Sequence, residues 1–198
     1  MQVHLERAVQ LLEELGTEDV EHPSGTLEEH LTGTYDVLAG WGCPEHRCLA
    51  GMYHSIYGTE TFQTETLRLD ARGKVRDAIG DEAEELVYLF CTVRRSSLYV
   101  NLDSGGPYVV ETRAGEQLTL KGLTQFAELM TLDLANRLEQ LERIRYSAVA
   151  MERDRQIYER AVPLFSRKAV ADLRKAFPRR SPLELAARRL VRRILGRR

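Results

Sequence analysis

Apolar residues recur at three- and four-residue spacing through most of the chain, a period that predicts helices. The first helix is expected over 2–15, closed by Gly16. The second starts at Thr26. There, Thr26-Leu-Glu-Glu29 has the form of a capping box, in which the hydroxyl takes one orphan N–H and Glu29 reaches back to another. Leu27, Leu31, Thr34/Tyr35 and Leu38 carry the stripe on towards Gly40 and Gly42. Pro44 suits a first helical position, so a third helix should pass through Cys48, Met52 and Ile56 to Gly58. Lys74–Ile79 is helical up to a break at Gly80, and Asp81 can cap a further helix through Val93. Helix returns at about 123–145, with Leu132, Ala135, Leu138 and Leu141 as its buried stripe, and again over 147–161 and 166–177. A last helix over 181–196 opens on Ser181-Pro-Leu-Glu184, a capping box with proline in the first turn.

The period changes between Leu98 and Leu120. This stretch is rich in Val, Tyr and Thr and carries the turn signals SGGP and RAGE, which predict a small hairpin-like insertion. The fold class expected is therefore mainly α: a helical bundle over 1–162 with a short β insertion at about 98–120, and a helical extension over 163–198.

Composition narrows the class. Hydrophobic residues make up 43% and charged residues 29%, the balance of a globular chain. No apolar run approaches the ~18 residues of a membrane span, and the amino-terminal stretch lacks the pattern of a signal peptide. Three cysteines, Cys43, Cys48 and Cys91, show no CxxC spacing, and a reduced, cytoplasmic setting is expected. The net charge of −2 hides an asymmetry: from Arg167 onwards there are twelve Lys/Arg and two Asp/Glu, on an otherwise acidic chain. In the last predicted helix, Leu183, Ala186, Ala187, Leu190, Val191 and Ile194 share one side and arginines surround it. Such a helix docks on an acidic membrane surface, on a partner or twin chain, or on its own acidic body. No motif for nucleic acid is present, and no nucleic-acid partner is expected.

The candidate chemistry lies in the histidines. His30 falls on the second predicted helix and His54 near the end of the third, so two antiparallel helices joined by a short turn bring them together. Histidines on facing helices build metal sites, although two histidines at such a spacing are also compatible with unrelated positions. The run "EEHLTGTYDVLAGWGCPEHRCLAGMYHS" resembles the start of the HD-domain superfamily, the metal-dependent helical phosphohydrolases and their oxygenase relatives, with "LAGMYHS" where that family has "AALLHD". "IGDEAEELV" (79–87) resembles "FGEEVAELV" of the (p)ppGpp-hydrolase branch, and "LANRLEQL" (134–141) resembles its "LADRLHNM". The chain is also similar to an HD-like family marked by "H-x-x-GTL-x-x-HL" and "HSIYGTE".

The resemblance implies a divergent HD-like bundle in which His30 and His54 match the metal histidines. Ser55 and Asn136 fall where the family has metal-binding aspartates, and Gly58 and Thr59 replace its acidic pair. Those changes remove two negative charges from a site built for a hard cation. Hydrolysis of (p)ppGpp or simple nucleotides with Mn²⁺ is therefore not expected. A rebuilt metal set would draw on His22, His30, His54, Glu60 and Asp133, with Glu139 a further carboxylate, and would take Fe, Mn or Zn. The catalytic candidates are His30, His54, Ser55 and Asn136; the substrate-binding candidates are His22, Thr34, Tyr57 and Thr59. Two functions follow. One is an enzyme, hydrolase or oxygenase, acting on a small polar or phosphorylated molecule. The other is a non-catalytic HD-like domain for ligand binding or interaction, with the basic tail for membrane or partner.

Overall fold

The structure, a computed structural model, describes residues 2–178. The helix expected over 181–196 lies outside the described residues, and the part of the carboxy-terminal segment within them is the helix Arg167–Ala176. The fold is mainly α. Its elements are α1 (Gln2–Glu14), a two-residue hairpin β1 (Glu21–His22) and β2 (Gly25–Thr26), α2 (Leu27–Gly40), α3 (Glu45–Tyr53), α4 (Arg72–Ile79), α5 (Asp81–Thr92), α6 (Arg95–Tyr99), β3 (Val109–Glu111), β4 (Gln117–Thr119), α7 (Leu123–Leu141), α8 (Ala148–Arg160) and α9 (Arg167–Ala176). No helix among the described residues is long and apolar enough to cross a membrane.

Local chemistry sets most boundaries. Thr26 accepts from the Glu29 N–H, and the Glu29 carboxylate accepts from the Thr26 N–H, so the expected capping box opens α2. Asp81, Glu82 and Glu84 place negative charge at the positive end of the α5 macrodipole. α3 ends before Ile56 and Gly58, to which its sequence pattern carried it. Its final turn closes at Tyr53, and His54 stands as its cap. The chain then turns tightly, with the Gly58 N–H donating to the Ser55 carbonyl. Gly58 has φ +71, which strains any residue with a side chain, and a Cβ there would stand a tight 3.2 Å from the Gln63 carbonyl oxygen.

α2, α3, α5 and α7 surround one core, in which Leu31, Leu38, Leu49, Phe90, Leu129 and Met130 are buried. α9 adds Ala169 and Leu173 to the same cluster, and Trp41 of the bundle donates its indole N–H to Asp172 of α9 at 2.8 Å. The insertion differs from its expected form. Residues 95–103 are helical, and only Val109–Glu111 and Gln117–Thr119 pair as an antiparallel hairpin. The reason is long-range. The Glu60 carboxylate accepts the Arg95 N–H at the α6 start, and the Asn101 amide bonds to Ser97 and Val109. These partners outweigh the strand preference of Leu98, Tyr99 and Val100.

Candidate functional site

The α2–α3 packing carries His30 against His54, both 1% exposed, with their Nε2 atoms 3.0 Å apart. Each outer nitrogen has a fixed partner. His54 Nδ1–H donates to the Gly51 carbonyl at 2.7 Å, a group left free by the end of α3. His30 Nδ1–H donates to the Glu139 carboxylate of α7. A carbonyl and a carboxylate only accept, so both Nδ1 atoms carry protons and the facing Nε2 atoms present lone pairs. Asn136 Oδ1 lies 3.1 Å from His54 Nε2 and accepts from Gln140 Nε2 at 3.2 Å. Three acceptor atoms thus converge, an arrangement completed by a cation: an added proton on an imidazole or a metal ion.

His22 is delivered by the β1–β2 turn, which the sequence pattern did not suggest. Its ring stacks on His30 with centroids 4.1 Å apart and planes 7° from parallel, and Phe62 meets it edge-on. The Ser24 N–H donates to His22 Nδ1 at 3.3 Å, and the Ser24 hydroxyl lies 2.7 Å from the same atom. The proton therefore sits on Nε2, and His22 is a donor and a wall. Burial, then the nearby His30 and Arg143, pull its pKa down to about 4. Burial also holds His54 well below the usual histidine range, with repulsion from His30 adding to it. These causes keep both rings neutral near pH 7.

The rings open onto a cavity of about 350 Å³. Its wall includes Ser55, Thr59, Asn136 and Arg137, with Glu60 at the rim. Asp133 lines it too, but its carboxylate is engaged: Arg95 Nε lies 3.1 Å away, and the Tyr99 and Tyr158 hydroxyls donate at 2.7 and 2.9 Å. Burial and this carboxylate hold both tyrosines far above their ordinary pKa. Glu60 is taken by the start of α6. Both carboxylates, expected as metal ligands, line the cavity with the histidines but bond to other groups. Thr34 and Tyr57, expected on the pocket wall, face elsewhere. The Thr34 hydroxyl returns to the His30 carbonyl at 2.9 Å, and the Tyr57 hydroxyl donates to Glu84 at 3.1 Å.

The carboxylate that does reach the pair is Glu139, held also by Arg143 Nε at 3.3 Å. Arg95, Tyr99 and Tyr158 are additions that the sequence pattern missed. Reading 98–120 as strand hid the i, i+4 spacing that sets Arg95 and Tyr99 on one side of α6. Among the described residues no group of three or more His, Cys, Asp or Glu stands ready to hold a metal ion. The donor set to test is therefore His30, His54 and the Asn136 amide. Its separations of 3.0 and 3.1 Å are those of ligands about 2.1 Å from one ion and at right angles, and metal-bound histidines characteristically donate their other N–H to a carboxylate or carbonyl.

Fold and site together define a mainly α protein with a buried histidine pair at the base of a polar cavity. A family model described as "Domain of unknown function (DUF6817)" matches residues 11–95. That span carries His22, His30, His54, Ser55, Thr59 and Glu60, and leaves α7 with Asn136 and Glu139 outside. No curated protein and no solved structure matches the chain.

Proposed function

We propose that the protein is a small-molecule enzyme with a modified HD-type pocket, in which His30, His54 and Asn136 hold a transition metal, Fe, Mn or Zn. The observation that carries this reading is the pair of facing Nε2 atoms, each backed by an acceptor that pins the proton to the far side of the ring. A bound ion would supply Lewis-acid or redox chemistry to a hydrolase or an oxygenase. Glu139 and Gly51 orient the two rings. His22 and Phe62 wall off one side of the cavity, and Arg95, Tyr99 and Tyr158 hold Asp133 as a rigid side of it. A cavity of about 350 Å³ suits a small polar or phosphorylated substrate.

Metal content tests the reading. Protein purified without added metal should contain a stoichiometric transition metal, lost in both His30→Ala and His54→Ala. Equal trace metal in all three would overturn it. A second reading draws on neutral Ser55 and Asn136, where the HD enzymes have aspartates: the pocket binds its ligand without turnover. Ligand binding with full metal occupancy and no product would favour that reading.

A further inference from the structure

Ser55 Oγ is buried in a residue only 2% exposed, lines the cavity beside His54, and has no hydrogen-bond partner among the described residues. Leaving a buried hydroxyl unsatisfied is unfavourable, so its place in a cavity wall points to a ligand atom that satisfies it.

The surrounding groups indicate what that atom is. Thr59 Oγ accepts from the Phe62 N–H at 3.0 Å, which leaves its own O–H for the cavity. The proton on His22 Nε2, forced by the Ser24 N–H, adds another donor to the same wall. Arg137 contributes a guanidinium from α7, with Asp154 on its Nε at 3.0 Å and the Tyr146 ring beneath it. The carboxylates at the cavity are meanwhile occupied: Asp133 by one arginine and two hydroxyls, Glu60 by a backbone N–H. Beyond the histidine pair the wall carries several donors, and its two carboxylates already hold donors of their own.

We propose that Ser55 and Thr59, with Arg137, form a subsite for an oxyanion, the phosphate or carboxylate group of the ligand. An aspartate at position 55 would place negative charge where that group sits. Serine there is a hydrogen-bond donor to the ligand. The inference rests on the cavity being the ligand site, and it does not need the metal.

The test uses the full chain in chelator, so that a metal cannot be the receptor. Inorganic phosphate and acetate serve as separate probes, followed by ³¹P line width for phosphate and by thermal shift for both. Wild type should bind at least one of the two, and the preferred probe identifies the oxyanion. Ser55→Ala should weaken that probe about tenfold, the value of one hydrogen bond to a charged group. Without probe, the same variant should melt no lower than wild type, because it removes an unsatisfied group and keeps the space. Thr59→Val should weaken the probe independently. No binding of either probe to wild type, equal binding to Ser55→Ala, or a lower melting temperature for probe-free Ser55→Ala would each overturn the subsite. Metal loss in the histidine variants is read separately, so the two proposals fail independently.

Discussion

His30 and His54 face each other through Nε2 atoms 3.0 Å apart, while their Nδ1 atoms are held from behind by Glu139 and Gly51. With both Nδ1 atoms engaged as donors, the 3.0 Å contact between the Nε2 atoms calls for one shared cation, a proton or a metal ion. The orientation of both rings is set by groups on their far sides, whatever cation the Nε2 atoms share.

Glu139 should therefore act as a positioning residue. Glu139→Gln keeps the shape of the side chain and removes the charge that orients His30. Metal affinity should fall about 10- to 100-fold, with a helical circular dichroism spectrum like that of wild type. Titration with Zn²⁺ against a competing chelator reads the effect. Unchanged affinity would mean that His30 is oriented without Glu139.

Gly33 gives a second route to the same carboxylate. A Cβ there would stand 2.9 Å from Glu139 Cγ and 3.1 Å from its Oε1. Gly→Ala inside a helix ordinarily stabilises by about 1 kcal/mol. Here the methyl displaces Glu139, so Gly33→Ala should gain no stability and should lose metal affinity about tenfold. A gain in melting temperature with intact affinity would show that the carboxylate shifts without consequence.

Acid should destabilise the metal-free protein. The His22 pKa is lowered from 6.5 to about 4, so between those values the unfolded chain binds a proton that the folded chain refuses. Stability from this group is complete above about pH 6.5, declines towards pH 4, and changes no further below it. His54 shifts in the same direction and adds to the loss. Melting curves in chelator from pH 7.5 to 4 should show the decline, and His22→Gln should flatten part of it.

Glu84 should be the costliest single truncation away from the histidines. It is fully buried. Arg72 grips it at 2.6 and 2.7 Å, Arg76 lies at 3.0 Å, and the Tyr57 hydroxyl donates at 3.1 Å. Glu84→Ala leaves two arginines facing an empty site and frees Tyr57, which anchors the turn after His54. The expected loss is about 3–5 kcal/mol, measured by urea unfolding. A loss below about 1 kcal/mol would show that solvent takes over both guanidinium groups.

The helix starts and stops were legible where short-range chemistry determines them. Thr26 and Glu29 cap each other across three residues, Gly16 adopts φ 64 just beyond α1, and Gly80 separates two helices at φ 84. The histidines were legible as candidates because a short turn between α2 and α3 leaves few ways to pack them. Which carboxylate served them was not. Asp133 and Glu139 lie six residues apart on one helix and project from different sides of it. One meets Arg95, Tyr99 and Tyr158; the other meets His30. The helical form of residues 95–103 was hidden for a related reason, since Glu60 and Val109 hold that segment from elsewhere in the chain. Local caps and periodicity are written into neighbouring residues and can be read from them. The partners of a buried charge are chosen by the packing of distant elements, and only the tertiary structure brings those together.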